Sequence, residues 1–353
     1  MRHKRKAQPL ALLLATAVAL SSWTTSPPVA QAFTALSIPR GRSPAGLFMS
    51  SPPAQVEQQQ QQQQQVNEVG NEVDGSKSWT DDGFVFGLDG SGLERPTGRN
   101  PSVVVDGDSL ETQPYQVAMV ACTFAVHSVF LAMAFQGMVA AAGGAVAAAA
   151  VQAALMTVAS WLLADFGSGV LHWSVDNYGN GKTPIMGSII AAFQGHHSAP
   201  WTITQRGFCN NVHKLCIPFG PVPVAIISAL TGFNPFATFF LTTFCIFEIM
   251  SQEFHKWSHQ LKSESPAWVN WLQKVGLTVG RKPHAQHHLA PYDGNYCIIS
   301  GACNGALDRS GFFRRLEHVV YNLNGVESNA WKLDPELRAR TLAGDYGLKP
   351  ATK

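Results

Sequence analysis

Eight of the twelve histidines fall into four clusters: His172; His196 and His197; His255 and His259; and His284, His287 and His288. Imidazole is the commonest protein metal ligand. The HxxxH and HxxHH spacings bring rings together on one helical face, because residues three and four apart are neighbours there. A structural zinc site needs only four ligands, so eight imidazoles would serve two metals. A single histidine such as His127, inside an uncharged apolar run, reads instead as a core residue.

Helical spacing adds acids that could receive the free ring N–H of a metal-bound histidine. Glu248, Gln252, His255 and His259 follow at steps of four, three and four, one continuous stripe of a helix. Asp165, His172 and Asp176 form a similar stripe at steps of seven and four. Asp165 stands beside an apolar run, where a carboxylate needs a partner or a metal.

The elements that must bring these residues together are membrane helices. The chain is 46% hydrophobic and only 14% charged, which is charge-poor for a soluble protein of 353 residues. No Asp, Glu, Lys or Arg occurs from Tyr115 to Ala164, and Gly143-Gly144 lies near the middle, as two spans of about 20 residues with a turn require. A second uncharged run, Leu215 to Phe247, breaks at Gly232-Phe233-Asn234-Pro235 and reads as two short spans or a re-entrant pair. Pro218, Pro221 and Pro223 make its first half the poorer helix. The expected fold is an all-α membrane protein of about four transmembrane helices. Two spans before His196 and two before His255 return the chain to one side, so all four clusters form a histidine-rich di-metal lobe on one membrane face. That placement argues against a transport pathway, whose ligands belong near mid-membrane.

The first hundred residues read as address and tether. Arg2, Lys4, Arg5 and Lys6 precede an apolar stretch, and Ala30-Gln31-Ala32 offers a cleavage site, so residues 1–32 form a signal peptide. Residues 33–56 hold Arg40 and Arg42 but no acid before Val56, like a transit peptide, and the pair resembles the bipartite presequence of algae with secondary plastids. Residues 57–108, with the glutamine run Gln58 to Gln65, form a linker too poor in apolar residues to fold. Removing the first 50 residues takes away six cations and no anions, turning 25 against 23 into 19 against 23, and the resulting acidity argues against a nucleic-acid partner. Residues 109–335 are expected to form one membrane domain that holds the histidine clusters, and 336–353 a polar C-terminal tail. Near the end of that domain, Phe312, Phe313, Leu316, Val319, Val320 and Leu323 recur at helical spacing as an amphipathic helix, expected to pack rather than to lie on a membrane. Cys122, Cys209, Cys216, Cys245, Cys297 and Cys303 show no CxxC spacing and read as inert thiols.

The stretches ADFGSGVLHWSVDNYGNGKTPIMGSIIAAFQGHHSAPWTITQRGFCNN, QEFHKWSH and RKPHAQHHLAPYDGNYCIISGACN resemble the membrane lipid desaturases. That family includes plasmanylethanolamine desaturases and the plastid palmitoyl-phosphatidylglycerol desaturases. The resemblance covers roughly residues 110–335, and DFGSGVLHWSVDNYGNG and FQGHHSAPWTIT match the plastid branch more closely. It places the family's metal ligands on His172, His196, His197, His255, His259, His284, His287 and His288. Pro283 and Tyr292 stand where the plasmalogen branch has histidines, and His213 and His318 fall outside the pattern. The resemblance implies two iron ions, O2 as co-substrate, and a trans-3 double bond introduced into the palmitoyl group of phosphatidylglycerol in a plastid membrane. No flavin or haem motif is present, so electrons come from a separate donor, which for a plastid enzyme implies ferredoxin. Three other readings remain open: a plasmanyl ether-lipid desaturase forming a vinyl ether, a membrane zinc hydrolase, and a non-enzymatic haem-binding or metal-transporting protein.

Overall fold

Pro114 opens the first helix among the described residues, α1 (Pro114–Ala141), where its missing N–H costs nothing and its fixed φ suits a helix start. Gln113 and Gln116 cap each other's backbone there. The computed structural model describes residues 107–347, together with residues 101, 103 and 105. The signal, transit and glutamine-rich segments therefore lie outside the described residues. Helix α1 ends where Gly143 and Gly144 take φ of 63° and 88°, the left-handed region that glycine enters without a steric cost. The chain then reverses into α2 (Val146–Asn177).

Ten further α-helices follow among the described residues, and no strand. They are α3 (Gly187–His196), α4 (Phe208–Val212), α5 (Pro221–Leu230), α6 (Pro235–His259), α7 (Ala267–Lys274), α8 (Arg281–His287), α9 (Asn304–Arg309), α10 (Phe312–Asn324), α11 (Asn329–Leu333) and α12 (Pro335–Leu342). Helix α6 starts at the predicted break: Asn234 accepts from the backbone N–H of Phe236 and Ala237 at 3.0 and 3.1 Å, a side-chain cap ahead of Pro235.

Among the described residues, three stretches are long and apolar enough to cross a membrane: Pro114–Ala141, Val146–Asn177 and Phe208–Leu230. The third is interrupted between Cys216 and Pro221, in the proline-rich half where the sequence predicts the poorer helix. Val129, Met133, Val151, Leu155 and Val158 of α1 and α2 are exposed. A helix that is apolar all round and outward-facing is matched to lipid rather than to water.

Helix α6 is central and packs along both α1 and α2. The face of α2 that meets it carries Ala149, Ala153, Ser160, Ala164 and Ser168, all buried, small side chains that let membrane helices approach closely. His172 and Asp176 continue this stripe. Helix packing and site construction therefore use one face of α2.

Two features beyond the spans hold the site. Residues 292–299 are irregular yet include the buried Tyr292, Tyr296, Cys297, Ile298 and Ile299. Buried backbone of this kind needs hydrogen-bond partners, and α2 provides them. The Asp165 carboxylate accepts from the N–H groups of Ser300, Gly301 and Cys303 at 2.7, 2.9 and 2.9 Å, and Ser168 Oγ accepts from Ile298 N at 3.2 Å. Gly169 lets the segment lie against the helix, since a Cβ there would come within 2.5 Å of Cys297 Sγ.

The second feature is the C-terminal lobe, α10 to α12. The amphipathic helix expected from Phe312 onward is α10, but its inner face differs from the apolar stripe. Phe313, Arg314 and Glu317 are buried while Val319 and Leu323 are exposed. Glu317 accepts from the indole N–H of Trp173 and Trp331 at 3.2 and 2.7 Å. The polar tail expected from residue 336 begins with α12, whose Leu337 and Thr341 are buried.

Candidate metal centre

The last two turns of α2 deliver His172 and Asp176, one helical turn apart. Helix α3 ends at His196, with His197 following it; the end of α6 carries His255 and His259; and α8 carries His284 and His287, with His288 at its C-terminus. These elements meet so that the eight clustered histidines converge in two adjoining groups. One contains His196, His255, His259, His284 and His288; the other contains His172, His197, His287 and Asp176. In each group the candidate ligand atoms lie within 4.8 Å of one another. Across the boundary the rings of His197 and His288 stand 4.7 Å apart between centroids.

The five-imidazole group cannot be explained as a hydrogen-bond cluster. His259 Nε2 lies 2.9 Å from His196 Nε2, 3.2 Å from His255 Nε2 and 2.8 Å from His284 Nε2, and His284 Nε2 is also 3.1 Å from His288 Nε2. An imidazole nitrogen offers one proton or one lone pair, so it cannot satisfy three such neighbours at once. Ligands bound about 2.0–2.1 Å from one ion stand roughly 3 Å apart. The donors match a shared cation.

In the second group, Asp176 Oδ2 is approached by His197 Nε2 at 3.2 Å, His172 Nε2 at 3.3 Å and His287 Nε2 at 3.4 Å. A charge-assisted N–H···O⁻ contact is shorter, about 2.7–2.9 Å. Asp176 Oδ1, His172 Nε2 and His287 Nε2 are buried without a hydrogen bond, a costly state that a metal would relieve.

The tautomers fit the same conclusion. His172 Nδ1 donates to the Tyr296 carbonyl at 3.0 Å and His287 Nδ1 to the Gly294 carbonyl at 2.8 Å. A carbonyl oxygen only accepts, so each Nδ1 carries the proton and each Nε2 presents its lone pair. Burial, reinforced by neighbouring imidazoles, holds His196, His284 and His288 well below the usual imidazole range. Burial also lowers His197, against the pull of Asp176. Neutral imidazoles are the form that binds a metal.

The acids picked from helical stripes divide. Asp176 is part of the donor set itself. Asp165 touches no imidazole and binds the backbone of residues 300–303. Glu248 is buried beside Gly167, where a Cβ would stand 3.1 Å from Oε1. Gln252 contributes its backbone carbonyl to Asn211 at 2.9 Å. Neither hydrogen-bonds to an imidazole. The acceptors that orient the rings are instead the carbonyls of Gly294 and Tyr296, which leave no mark in residue type. Tyr292 packs its ring 4.4 Å from that of His197.

Three further described histidines, His127, His213 and His318, lie apart from the two groups. His213 Nδ1 bonds to the Asn210 carbonyl at 2.8 Å and His318 Nδ1 to Tyr346 Oη at 2.8 Å, while His127 is buried within α1. All six cysteines are free.

A family model described as the lipid desaturase domain matches residues 161–331. Fatty acid desaturase 4, chloroplastic, of Arabidopsis thaliana is 49% identical over 180 residues, covering 50% of this chain and 54% of its own. Plasmanylethanolamine desaturase 1 of Mus musculus is 33% identical over 190 residues, covering 50% of this chain and 68% of its own. A probable fatty acid desaturase of Acanthamoeba polyphaga mimivirus is 31% identical over 180 residues, covering 50% of this chain and 86% of its own. The chain thus spans little more than half the length of the Arabidopsis relative. No solved structure matches.

Proposed function

The chain belongs to the lipid desaturase family, and from that premise we propose that it is a multi-pass plastid-membrane enzyme desaturating a lipid-bound acyl chain. Its substrate is the palmitoyl group of phosphatidylglycerol and its product the trans-3 alkene. Helix α6 makes the fourth crossing, and the electrons come from an external donor, ferredoxin. One observation carries the reading: nine buried or half-buried donors, eight imidazoles and one carboxylate, stand in two adjoining groups at ligand spacing.

The donor set suits two irons. Imidazole and carboxylate both serve iron, and five imidazoles around one position exceed the four ligands of a tetrahedral zinc site. When bound, iron with O2 supplies the oxidant that an unactivated alkyl chain requires and that no side chain provides. The net change removes one hydrogen from each of two adjacent carbons and, with two electrons and two protons from outside, reduces O2 to two waters.

The chain's own residues set the conditions for this. His172 and His287 are locked by backbone carbonyls with Nε2 toward the site. Asp176 supplies the one anionic donor of the set. Tyr292 and Phe193 pack against His197 and His172 at ring distances of 4.4 and 5.2 Å, which limits the room for water beside the imidazoles.

The test is the lipid profile of a host expressing the chain or its His196→Ala variant. The expected result is trans-3-hexadecenoate in phosphatidylglycerol with the wild type and none with the variant. Vinyl ether lipids would instead assign the chain to ether-lipid desaturation. Unchanged lipids with one zinc per chain would indicate a hydrolase, and unchanged lipids with another metal or a haem a non-enzymatic protein.

A further inference from the structure

The 24 residues between His259 and His284 are longer than a connection between two ligand-bearing helices requires. From the end of α6 the chain runs through α7 and reaches Leu277, whose carbonyl accepts from Trp161 Nε1 at 3.1 Å. Trp161 lies eleven residues before His172 on α2, about 16 Å along the helix axis at 1.5 Å per residue. The hairpin therefore turns back along the spans instead of away from them. Val269 and Leu272 pack it onto Trp161, Phe254 and Trp257. The chain returns through Val279, whose N–H bonds to the Ile299 carbonyl at 2.8 Å.

Its other face is unlike a water-exposed loop. Trp268 and Trp271 are each 56% exposed, and Leu261, Val275 and Leu277 are exposed beside them. Tryptophan and aliphatic residues flanked by lysine are the composition of a segment lying in a membrane interface. On the side toward α8, a cavity of about 520 Å³ is lined by Lys262, Lys274, Arg281, Lys282, Asn270 and Trp271, and by no carboxylate. Arg281 is fixed there by bonds to the Gln260 carbonyl at 2.6 Å and Ser265 Oγ at 2.8 Å. Four cations without an acid form a complement to an anion. The neighbouring tryptophans place that anion at a lipid surface.

We propose that the Leu261–Pro283 hairpin is a head-group subsite, in which these four cations hold the phosphodiester of an anionic phospholipid while Trp268, Trp271 and Leu277 seat the hairpin in the interface. The purpose of the bound lipid rests on the desaturase reading; the binding itself does not. Both ends of the hairpin run into the five-imidazole group, through His259 and His284. A lipid held by its phosphate here would present the ester end of its acyl chain to the metal centre first, which matches oxidation close to the carboxyl group.

The full chain, reconstituted in mixed phosphatidylcholine–phosphatidylglycerol vesicles, is re-extracted and its retained lipid quantified by native mass spectrometry. Wild type should retain phosphatidylglycerol over phosphatidylcholine, and phosphatidylserine should replace it. The Lys262→Gln, Lys274→Gln, Lys282→Gln variant should lose that preference on the order of a hundredfold, at roughly fivefold for each surface cation. Arg281 is left in place because it ties the hairpin together. If the triple variant does not fold, Lys274→Gln alone should lose roughly fivefold. Unchanged retention in either variant overturns the proposal. So does unchanged retention with weakened binding of an acidic electron-transfer protein, which would make the surface a donor dock. Lysine-dependent retention without any desaturation would sink the desaturase reading and leave the subsite standing. Desaturation with lysine-independent retention would do the reverse.

Discussion

Replacing Asp176 by asparagine tests whether the carboxylate is a ligand or only a hydrogen-bond acceptor. The side chain keeps its size and loses its charge. As an acceptor, Asp176 would receive Nε2–H groups, and an asparagine Oδ1 could still receive one. As a ligand, it is the single anionic donor among three imidazoles whose Nε2 atoms stand 3.2–3.4 Å from Oδ2. Since removing a residue that merely orients a ligand costs about 10–100-fold in metal affinity, removing the ligand should cost at least on the order of a hundredfold, about 3 kcal/mol at 1.4 kcal/mol per tenfold. The end of α2 should keep its place, because the Asp176 backbone carbonyl still accepts from Asn329 Nδ2 at 2.7 Å. Elemental analysis of purified protein should find metal falling from two ions per chain toward one, with the five-imidazole group keeping its own. Two ions retained in the variant would refute the ligand role, and loss of both would refute the independence of the two groups.

Gly169→Ala should destabilise the protein despite a helix-propensity gain of up to about 1 kcal/mol. The new Cβ meets Cys297 Sγ at 2.5 Å, and such overpacking costs about 1–3 kcal/mol; adding Cys297→Ala should restore the melting temperature, and failure to do so would locate the strain elsewhere. The metal-free protein should lose stability on acidification. Buried His196, His197, His284 and His288 have lowered folded-state values, so below about 6.5 the unfolded chain binds protons that the folded chain does not. Stability present above that pH falls as pH drops, by up to about 1.4 kcal/mol per histidine per unit; a flat profile of thermal unfolding between neutral pH and pH ~5 would contradict the burial argument.

Spacing alone identified all eight histidines that converge, because HxxxH and HxxHH on a helix leave their rings one turn apart. The acids were harder, for a reason of height rather than face. Asp176 is four residues from His172, about one 5.4 Å pitch, and reaches the same site. Asp165 precedes His172, and Glu248 precedes His255, by seven residues each; both share the stripe but stand roughly 10 Å away along the axis. A stripe reports direction and says nothing of level. The Gly294 and Tyr296 carbonyls were out of reach for a different reason: any residue has a carbonyl, and their position depends on the fold of a strandless, helix-free segment. The inner face of α10 also departed from its pattern, since Arg314 and Glu317 are buried through each other and through two indoles 14 or more residues away in sequence.

These placements couple the site to the fold in one direction more than the other. The spans pack through small residues of α2 that are not candidate ligands and along α6, whose His255 and His259 lie only at its C-terminal end. The lobe beyond them lacks that independence. It is assembled from short helices, of which α8 has only seven residues, too few to be stable alone. Its interior is lined by imidazole nitrogens whose mutual approach at 2.8–3.2 Å leaves most of their lone pairs without a proton to share. Bringing such groups together in a dry site is unfavourable until a cation takes up the lone pairs, so the free energy of metal binding is in large part free energy of folding for this lobe. Asp165 transmits that dependence to the membrane helices. Its carboxylate fixes the 300–303 backbone to α2, and the same segment carries the carbonyls that aim His172 and His287. A metal bound there would therefore order the segment from one side, while the span orders it from the other.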